Sequence, residues 1–298
     1  RLARVRVPPS AARVILATAL LAGALGLRDA GLNNAALLKQ AADRAAPPGT
    51  LRVISWNTQY WEQTDDPDRF YATLKAHPAD VYLLQEYLYW ADGPQRIDRL
   101  DRLRQEFPGY RVASIGELIT LSRVPIVRTT TPGAGPRSAV DFVEAYETAK
   151  ILRTDVNLGG RTMSLYNVHV TVPVDAHRNP LTPSFYSLIA ERQRQRERQF
   201  RILRNDLRDN PHPRLVSGDL NTSPAMGDLR RLGGGLVDAA AASRSPFLAS
   251  WPAAGPVLWR LDWTFTDRRV QVHSYDLTDP GAMSDHRMQD IRVSLDDR

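Results

Sequence analysis

The sequence predicts an α/β fold with mixed β-sheets. Short runs of apolar and β-branched residues, which are typical of strands, alternate with segments in which leucines recur at helical spacing. The strand-like runs outnumber the helical segments, yet the two kinds are interspersed along the chain. This alternation favours an α/β architecture over an all-β sandwich.

The predicted elements run from residue 51 to the end of the chain. Helices with apolar positions at helical spacing are predicted at Asp68–His77, Ile97–Phe107 and Ser187–Arg208. Strands are predicted at Leu51–Trp56, Asp80–Leu84, Tyr110–Ala113, Leu118–Leu121, Ile126–Thr129, Ala149–Leu158, Arg161–Val170, Leu215–Asn221, Leu258–Phe265, Val270–Tyr275 and Ile291–Leu295. Loops are predicted at 131–138 and 172–183. The last helix is rich in arginine, but acidic residues offset the charge, so we interpret its arginines as a solvated face.

Residues 1–32 predict a basic tail followed by a signal or membrane-anchor helix. Val14–Leu27 contains no charged residue, and as a helix it would be about 21 Å long, against roughly 30 Å for a bilayer core. That length fits a signal-peptide core, or a membrane helix extended through Arg13. Basic residues before it place the rest of the chain outside the cytoplasm. The alternative is an amphipathic or buried helix of a soluble protein.

Residues 33–50 are alanine-rich and end in Pro47-Pro48-Gly49. They predict a helix and a linker that lead into one large domain at 51–298. The first residue is arginine rather than methionine, so we expect further residues upstream.

Charge and cysteine content narrow the functional classes. The net charge is +6, but residues 1–50 account for +5 and the other 248 residues for only +1. Nucleic-acid-binding proteins usually carry a clear positive excess, so the near-neutral domain weakens a nuclease interpretation. Cysteine is absent, which excludes disulfides, thiolate metal sites and a cysteine nucleophile.

Polar side chains able to do chemistry follow several of the predicted strands. They are Asn57, Glu86, His169, Asp219, Asn221, Asp262, Asp285 and His286. Each alone is explained by a turn or a hydrogen-bonded buried residue, but so many strand ends of this kind indicate one shared site. On a strand of period two, Asp219 and Asn221 also point to the same face.

The side chains of this set select a hard divalent cation. Carboxylates and carboxamides suit Mg²⁺, with Mn²⁺ possible, whereas zinc usually requires more imidazole or thiolate. A hard cation beside two histidines and a further carboxylate suits hydrolysis of a phosphate ester.

The order of these segments resembles the endonuclease/exonuclease/phosphatase superfamily, which has the deoxyribonuclease I-like fold. The matching pieces are Ile54-Ser-Trp-Asn57, Leu84-Gln-Glu86, Leu121-Ser-Arg-Val-Pro-Ile126, Asn167-Val-His169, Ser217-Gly-Asp-Leu-Asn221, Arg260-Leu-Asp262-Trp and Ser284-Asp-His286. The resemblance covers residues 51–295. It implies that 51–298 is a domain of this superfamily, a four-layer sandwich of two packed mixed β-sheets flanked by helices.

The resemblance also implies roles for the site residues. It makes Glu86 the principal Mg²⁺ ligand, with Asn57 and Asp285 completing the metal shell. It makes Asp219 the residue that activates water, oriented by Asn221. The implied pair that contacts the scissile phosphate is His169 and His286, with Asp262 polarising His286. Where some members carry an acid that assists the metal, this chain has Gln59, which favours one metal over two.

The fold does not name the substrate. The predicted anchor and near-neutral domain resemble bacterial membrane-anchored members of the teicoplanin-resistance type. Our first hypothesis is therefore an extracytoplasmic Mg²⁺-dependent phosphatase or phosphodiesterase, at the cell membrane or secreted, acting on a lipid-linked or small phosphate. Aromatic residues after two of the site residues line an apolar approach or pack in the core: Tyr60, Trp61, Tyr87, Tyr89 and Trp90.

Two other hypotheses remain open. A secreted or membrane-anchored nuclease acting on DNA or RNA would need a basic groove, for which the candidates are Arg123, Arg137, Arg178 and Arg260. An inactive domain kept as a binding module is the other, and the intact set of site residues argues against it. We infer no protein partner.

Overall fold

The computed structural model describes residues 9–29, 31–33, 36, 47, 49–60, 66–97, 100–175, 178–253, 257–281 and 283–296. The helices are α1 (Pro9–Asp29), α2 (Pro67–Ala76), α3 (Leu100–Glu106), α4 (Phe142–Thr148) and α5 (Pro183–Asp209), with 3₁₀ turns at Gly227–Leu232 and Ala239–Ala242. The strands are β1 (Leu51–Asn57), β2 (Val81–Gln85), β3 (Leu88–Trp90), β4 (Pro94–Arg96), β5 (Arg111–Ile115), β6 (Leu118–Ser122), β7 (Ile126–Thr130), β8 (Ile151–Leu158), β9 (Arg161–His169), β10 (Arg214–Asp219), β11 (Leu236–Asp238), β12 (Asp262–Asp267), β13 (Val270–Thr278) and β14 (Met288–Leu295).

Twelve of these strands form two mixed sheets of six. One sheet has the order β13-β14-β1-β2-β6-β5 and the other β11-β12-β10-β9-β8-β7, while β3 and β4 make a separate hairpin. Each large sheet contains one parallel pair, β1 with β2 and β9 with β10, and its other pairings are antiparallel. The expected pair of mixed sheets is confirmed.

The sheets pack face to face and carry helices on their outer faces. Val53 and Leu83 of one sheet share a buried cluster with Leu165 and Leu215 of the other. Because side chains alternate along a strand, the neighbouring residue Ile54 points the opposite way. On that outer face lies a cluster with residues from α2 and α3. The second sheet is covered by α5, whose expected stripe of Phe200, Leu203 and Leu207 is buried there.

The two parallel pairs determine where a site can form. In a parallel pair the carboxyl ends of both strands meet at one edge of the sheet. Asn57 at the end of β1 therefore lies in register with Gln85 at the end of β2. In the other sheet Asp219 is in register with His169, and Asp262 pairs with Asp219 from the opposite side. Sequence-distant polar residues thus reach one end of the sandwich.

The structure corrects several predicted boundaries. The helix α4 was not predicted, because its seven residues bury only Ala145 and so give little apolar periodicity; Asp141 caps it by accepting a hydrogen bond from the backbone N–H of Glu144. Strand β12 begins at Asp262 rather than at residue 258. Strand β10 ends at Asp219, and Asn221 has a positive φ of 46°.

The apolar N-terminal segment is a helix that presents its large side chains to the surroundings. In α1, Val14, Ile15, Leu16, Leu20 and Leu21 are each at least 60% exposed. Across the part of the chain that the structure describes, no helix combines the length and apolarity needed to span a membrane. The expected membrane helix is therefore not supported.

After α1 the chain contacts the main domain. Leu32 forms an isolated bridge with Phe247, and the buried Asn33 donates its side-chain amide to the carbonyl of Ala240 at 3.0 Å. The basic tail at 1–8 and most of the predicted helix and linker at 33–50 lie outside the described residues.

Glycine at position 218 is required by the approach of β9 to β10. Its φ is +148°, and a Cβ there would lie 1.9 Å from the carbonyl oxygen of Val168. Since that oxygen belongs to the backbone of a central strand, it has no room to move away. We predict that Gly218→Ala lowers the free energy of unfolding by about 3 kcal/mol or more, measured by denaturant unfolding.

The control is Gly234→Ala, because a Cβ there meets nothing within 4 Å. We expect it to change the free energy of unfolding by less than about 0.5 kcal/mol. Equal stability of the two variants would show that β9 and β10 do not hold the close contact described.

Candidate active site

Asp219 lies at the centre of the polar cluster at the strand ends. Its Oδ2 accepts hydrogen bonds from Nδ2 of Asn57 at 3.1 Å and Nδ2 of Asn221 at 3.0 Å. The same oxygen is 3.6 Å from Nε2 of His169 and 3.8 Å from Nε2 of His286. Burial raises the pKa of Asp219, although the two histidines act in the opposite direction. One buried carboxylate is thus placed between two imidazoles.

Asn221 reaches this carboxylate through a turn and not through the alternation of a strand. Its backbone N–H donates to Oδ1 of Asp219 at 2.8 Å, as in an Asx turn. Its side-chain nitrogen also donates to the carbonyl of Val170 at 3.0 Å and lies 3.3 Å from Nε2 of His169. The expectation that Asp219 and Asn221 share one location is met, but the strand geometry proposed for it is wrong.

His286 is held by a second acid. Its Nδ1 donates to Oδ2 of Asp262 at 2.8 Å, and both residues are buried. Burial opposes the positive charge of His286, but Asp262 and Asp219 outweigh it and raise the pKa to about 10. The imidazole is therefore a cation at neutral pH.

His169 is held by an acid that sequence reasoning missed. Its Nδ1 lies 2.9 Å from Oε1 of Glu117. The angle is poor for a hydrogen bond, so we treat the contact as an ion pair. The same oxygen accepts from Nζ of Lys150 at 2.5 Å. Burial opposes ionisation of Glu117, but His169 and Lys150 outweigh it and hold the pKa at about 2.

The only sequence signal for Glu117 is a weak one. It lies between Gly116, which turns the chain, and the first residue of β6. A charged residue at such a position is ordinarily part of an exposed hairpin turn. Only the packing of β6 across the gap between the sheets places its side chain, which is fully buried, against His169.

Glu86 follows β2 with a positive φ of 53° and turns its carboxylate toward the cluster. Its Oε1 accepts from Nδ2 of Asn57 at 3.0 Å and lies 3.6 Å from Nε2 of His169. Burial raises the pKa of Glu86 to about 7, partly offset by the charge of His169. A second carboxylate therefore lies next to Asp219, bridged to it by Asn57.

Asp285 lies at the rim of the site. Its Oδ2 accepts from Nε1 of Trp251 at 2.7 Å, and its backbone N–H donates to Oε1 of Gln59 at 2.7 Å. Its Oδ1 is 3.9 Å from Nε2 of His286. The side chain is 34% exposed, whereas His286 is only 8% exposed. The structure thus brings seven of the eight expected residues together, six of them buried and Glu86 partly buried, and leaves Asp285 at the edge of the group.

Comparison with known proteins decides the family. The model of the endonuclease/exonuclease/phosphatase family matches residues 54–286. The chain belongs to this family. Its members hydrolyse phosphate esters, and we describe the chain accordingly as a phosphoester-hydrolysing enzyme.

Solved structures of the same fold support this placement. Humanized D. rerio TDP2 superposes with a TM-score of 0.58 at 15% identity, covering 83% of this chain and 100% of that one. A family member from Bacteroides vulgatus gives 0.57 at 16%, covering 83% and 99%. A mannosyl-6-phosphatase from Bacteroides thetaiotaomicron gives 0.57 at 13%, covering 82% and 100%. At these identities the likeness shows the fold alone. No curated protein is significantly similar in sequence.

The side chains present fit the divalent metal on which the family depends. Among the described residues, two groups place one possible ligand atom each within 4.8 Å of one another: Glu86, His169 and Asp219, and Asp219, Asp262 and His286. The raised pKa of the buried Glu86 and Asp219 is the expected signature of carboxylates that a cation would stabilise. Of the three expected ligands, Glu86 belongs to the first group, and the place of Asp285 in the metal shell stays a prediction.

Asn57 supports the acids through its nitrogen. Its Nδ2 faces both carboxylates, while its Oδ1 accepts from the backbone N–H of Gln59 at 3.0 Å. Ligation of a metal through oxygen would need the amide to rotate by half a turn. In the arrangement described, Asn57 orients Glu86 and Asp219.

A buried arginine holds the two loops that leave β9 and β10. Arg196 of α5 donates to the carbonyl of Thr171 at 2.6 Å and to Oγ1 of Thr222 at 2.6 Å, and it pairs with Asp228 at 2.8 Å. Its side chain is 0% exposed. The expectation of a wholly solvated arginine face is therefore wrong for this residue, because its donors are used inside the protein.

Three aromatic side chains, from the loop after β1, from β3 and from α4, pack together. The ring centroid of Trp90 is 6.1 Å from that of Tyr60 and 5.9 Å from that of Tyr146, which comes from the unpredicted α4. Of the other aromatic residues expected here, Tyr87 is buried in the core and Tyr89 packs against it. Trp61 lies outside the described residues.

The ion pair with Glu117 predicts a change in the pH dependence of activity. Burial works against protonation of His169, but Glu117, Glu86 and Asp219 outweigh it and raise its pKa. Removing the Glu117 charge lowers that pKa, so the imidazolium is lost at a lower pH. We predict that Glu117→Gln moves the alkaline limb of kcat/KM to lower pH and reduces kcat about 10²-fold.

The matched control is Glu147→Gln, which removes an exposed acid from α4. It should leave both the alkaline limb and kcat unchanged. If Glu117→Gln keeps the wild-type alkaline limb, then Glu117 does not set the protonation state of His169.

Proposed function

We propose that this enzyme is a Mg²⁺-dependent phosphatase or phosphodiesterase that acts on a lipid-linked or small phosphate. The observation that carries the proposal is the position of Asp219, with Nε2 of His169 and of His286 each within 4 Å of its Oδ2. A carboxylate that can orient water thus lies beside two imidazoles whose raised pKa favours the cation, which can stabilise charge on a phosphoryl group. Phosphoryl transfer depends on such positioning and charge stabilisation.

Each side chain of the proposed site has a defined task. Asp219, fixed by the two amides, accepts a proton from water that attacks phosphorus. His286 and His169, whose protonated forms are favoured by Asp262 and Glu117, donate hydrogen bonds to the phosphoryl oxygens as negative charge develops there. Glu86 would hold the Mg²⁺, which supplies neutralisation of the phosphoryl oxygens.

The surface charges support a small or lipid-linked substrate over a nucleic acid. Each of the four arginines considered for a DNA groove lies within 4 Å of an acid, including Arg123, which is 3.9 Å from Asp80. Arg260 is 6% exposed and pairs with Asp238 at 2.7 Å, Arg137 pairs with Glu144 at 3.1 Å, and Arg178 lies 3.5 Å from an acid. Arg123 hydrogen-bonds the hydroxyl of Tyr110. The pair with Asp238 withdraws Arg260 from the surface, and the near balance of charges over residues 51–298 lacks the positive excess typical of proteins that bind phosphates along a duplex.

One of the similar structures is named for its substrate. The mannosyl-6-phosphatase is named for a small sugar phosphate. It supports the first proposal only by showing that this fold accommodates such a substrate. Nuclease activity on DNA or RNA remains the alternative to be tested.

Substitution of the central acid and of the cationic histidine tests the assigned roles. We predict that Asp219→Asn and His286→Ala each lower kcat at least about 10²-fold, because each removes acid–base or electrostatic help in the transition state. The matched control is His273→Ala. That histidine lies on β13 and contacts Ser294, so its loss should leave kcat within about 2-fold. Wild-type turnover by either site variant would contradict the assignment.

A substrate panel decides between the two activities. Purified enzyme is offered a lipid pyrophosphate, a sugar phosphate, bis(p-nitrophenyl) phosphate and plasmid DNA, each with Mg²⁺ and with a chelator. We expect turnover of at least one of the first two, and loss of that turnover with chelator. Rapid nicking of DNA without turnover of either would establish the nuclease alternative, and full activity in chelator would remove the metal from the proposal.

Action outside the cytoplasm is a further part of the proposal. It rests only on the uncharged run at 14–27 and on the basic residues before it. Fractionation of cells that make the protein with its native N-terminus tests it, and recovery of all the enzyme in the cytosol would contradict it.

A further inference from the structure

The second ring nitrogen of His286 faces two carboxylates and is bonded to neither. Its Nδ1 is already used by Asp262 at 2.8 Å. Its Nε2 lies 3.8 Å from Oδ2 of Asp219 and 3.9 Å from Oδ1 of Asp285, and both separations exceed hydrogen-bond distance. Nε2 is therefore the nitrogen that His286 has left to donate to a phosphate, provided that neither acid captures it.

Of the two carboxylates, Asp285 is the one with room to close this gap. Asp219 is buried, and both of its oxygens accept hydrogen bonds from amide groups of Asn57 and Asn221. Asp285 directly precedes His286 in the chain, and its side chain is 34% exposed. A charged donor and a carboxylate that are free to move pair at about 2.7–2.9 Å. The separation of 3.9 Å therefore indicates that the side chain of Asp285 is restrained.

The restraint on this side chain is a hydrogen bond from an indole. Nε1 of Trp251 donates to Oδ2 of Asp285 at 2.7 Å, and the indole lies beside the imidazole of His286, with 6.5 Å between the ring centroids. Among the residues that the structure describes, no second hydrogen-bond donor reaches this carboxylate. The bond holds Oδ2 against the indole, so that Oδ1 stops short of Nε2.

The backbone around Asp285 is held by separate contacts. Its N–H donates to Oε1 of Gln59 at 2.7 Å, and its carbonyl accepts from the N–H of Ala253 at 2.6 Å. The N–H of His286 donates to Oγ of Ser284 at 3.0 Å. Loss of the indole N–H would therefore release the carboxylate and leave the chain on either side of it in place.

We propose that Trp251 is a positioning residue, which holds the carboxylate of Asp285 away from His286 and so keeps Nε2 free for the phosphate. This inference rests on the proposed function, because it concerns how the same site receives its substrate. Without the indole N–H, rotation of the Asp285 side chain brings Oδ1 to Nε2, and an ion pair forms there. A phosphate then binds only after that pair is broken, so its affinity falls.

Nuclear magnetic resonance of the histidine rings in the whole, metal-free protein tests the proposal without turnover. Trp251→Phe removes the indole N–H and keeps an aromatic ring. We expect His286 in this variant to show a hydrogen-bonded Nε2 proton that exchanges slowly with water and that the wild type lacks. Adding Asp285→Ala should remove that proton, because no carboxylate is left to accept it.

Three results would overturn the proposal. They are a slowly exchanging Nε2 proton already present in the wild type, its absence from Trp251→Phe, and its persistence in the double variant. The Nδ1 proton that His286 shares with Asp262 reports that the site is folded. If Trp251→Phe lacks this Nδ1 proton, Trp251→Met is measured in its place.

Calorimetric titration with inorganic phosphate in excess Mg²⁺ measures the consequence for binding. We expect Trp251→Phe to weaken phosphate binding about 10-fold, the usual value of a charged hydrogen bond that has to be broken. The matched control is Trp259→Phe. That indole packs against Trp251, with 5.5 Å between the ring centroids, and is 40% exposed. Its replacement should change the affinity by less than about 2-fold.

A background without the carboxylate separates positioning from simple packing of the indole. In Asp285→Ala, the further change Trp251→Phe should alter phosphate affinity by less than about 2-fold, because there is no carboxylate to hold. A loss of about 10-fold in that background as well would show that Trp251 acts only by packing, and the proposal would fail.

The results distinguish the role of Trp251 from the proposed function. If the wild type hydrolyses no phosphate ester, yet Trp251→Phe gains the Nε2 proton, the proposed function fails and the positioning role stands. If hydrolysis is normal and the proton is not gained, the positioning role alone fails.

Discussion

The site depends on the close approach of β9 and β10. At Gly218 the backbone lies so near the carbonyl of Val168 that no side chain fits between them. The next residues along the two strands are His169 and Asp219, in register with each other. Because the strands are parallel and end together, a contact in the backbone becomes a contact between an imidazole and a carboxylate. The antiparallel pairing with β12 then adds Asp262 from the other side.

Electrostatic compensation within the cluster explains why so many ionisable groups tolerate burial. Isolated, each buried charge would cost several kcal/mol. Here acids and histidines alternate in space, so that His169 lies between Glu117 and Asp219. The ammonium group of Lys150 forms a second ion pair with Glu117. The compensation raises the pKa of both imidazoles, and it leaves Glu86 and Asp219 as the groups whose negative charge is least supported.

The sequence predicted those parts of the site that lie at strand ends with a recognisable local pattern. Apolar strands that end in Asn57, Asp219 or His169 are visible in one dimension, since each polar residue interrupts an apolar run. The α/β class with mixed sheets followed from the alternation of elements, whereas the packing of two such sheets was implied by the family resemblance. These signals are local, and the structure brings the residues together because the strands are packed in parallel pairs.

Residues of the site that do not lie at a strand end gave no such local signal in the sequence. Glu117 looks like a turn residue, and Tyr146 lies on a helix too short to show periodicity. The partners of Glu117 depend on how β6 packs against the other sheet, and those of Tyr146 on how α4 packs against the hairpin of β3 and β4, so both are set by tertiary structure. The sequence also gave no indication that Asn221 has a left-handed backbone conformation. The alternation of side chains along a strand predicted that Asn221 lies beside Asp219. The two side chains do lie together, but an Asx turn, and not a strand, brings Asn221 there.

The arginines of α5 show most clearly why a count of charges misleads. By composition this helix has an excess of arginine, as a nucleic-acid-binding surface would. Once its acids are counted, the composition instead predicts a solvated face. The structure divides its arginines by their position around the helix. Arg194 and Arg198 are exposed. Arg196, in contrast, is buried and binds Thr171, Thr222 and Asp228. One helical face thus serves the site, first by fixing the loops that hold His169 and Asn221. A charge on that face is directed inward, so it stabilises the loops of the site and does not attract a polyanion to the surface.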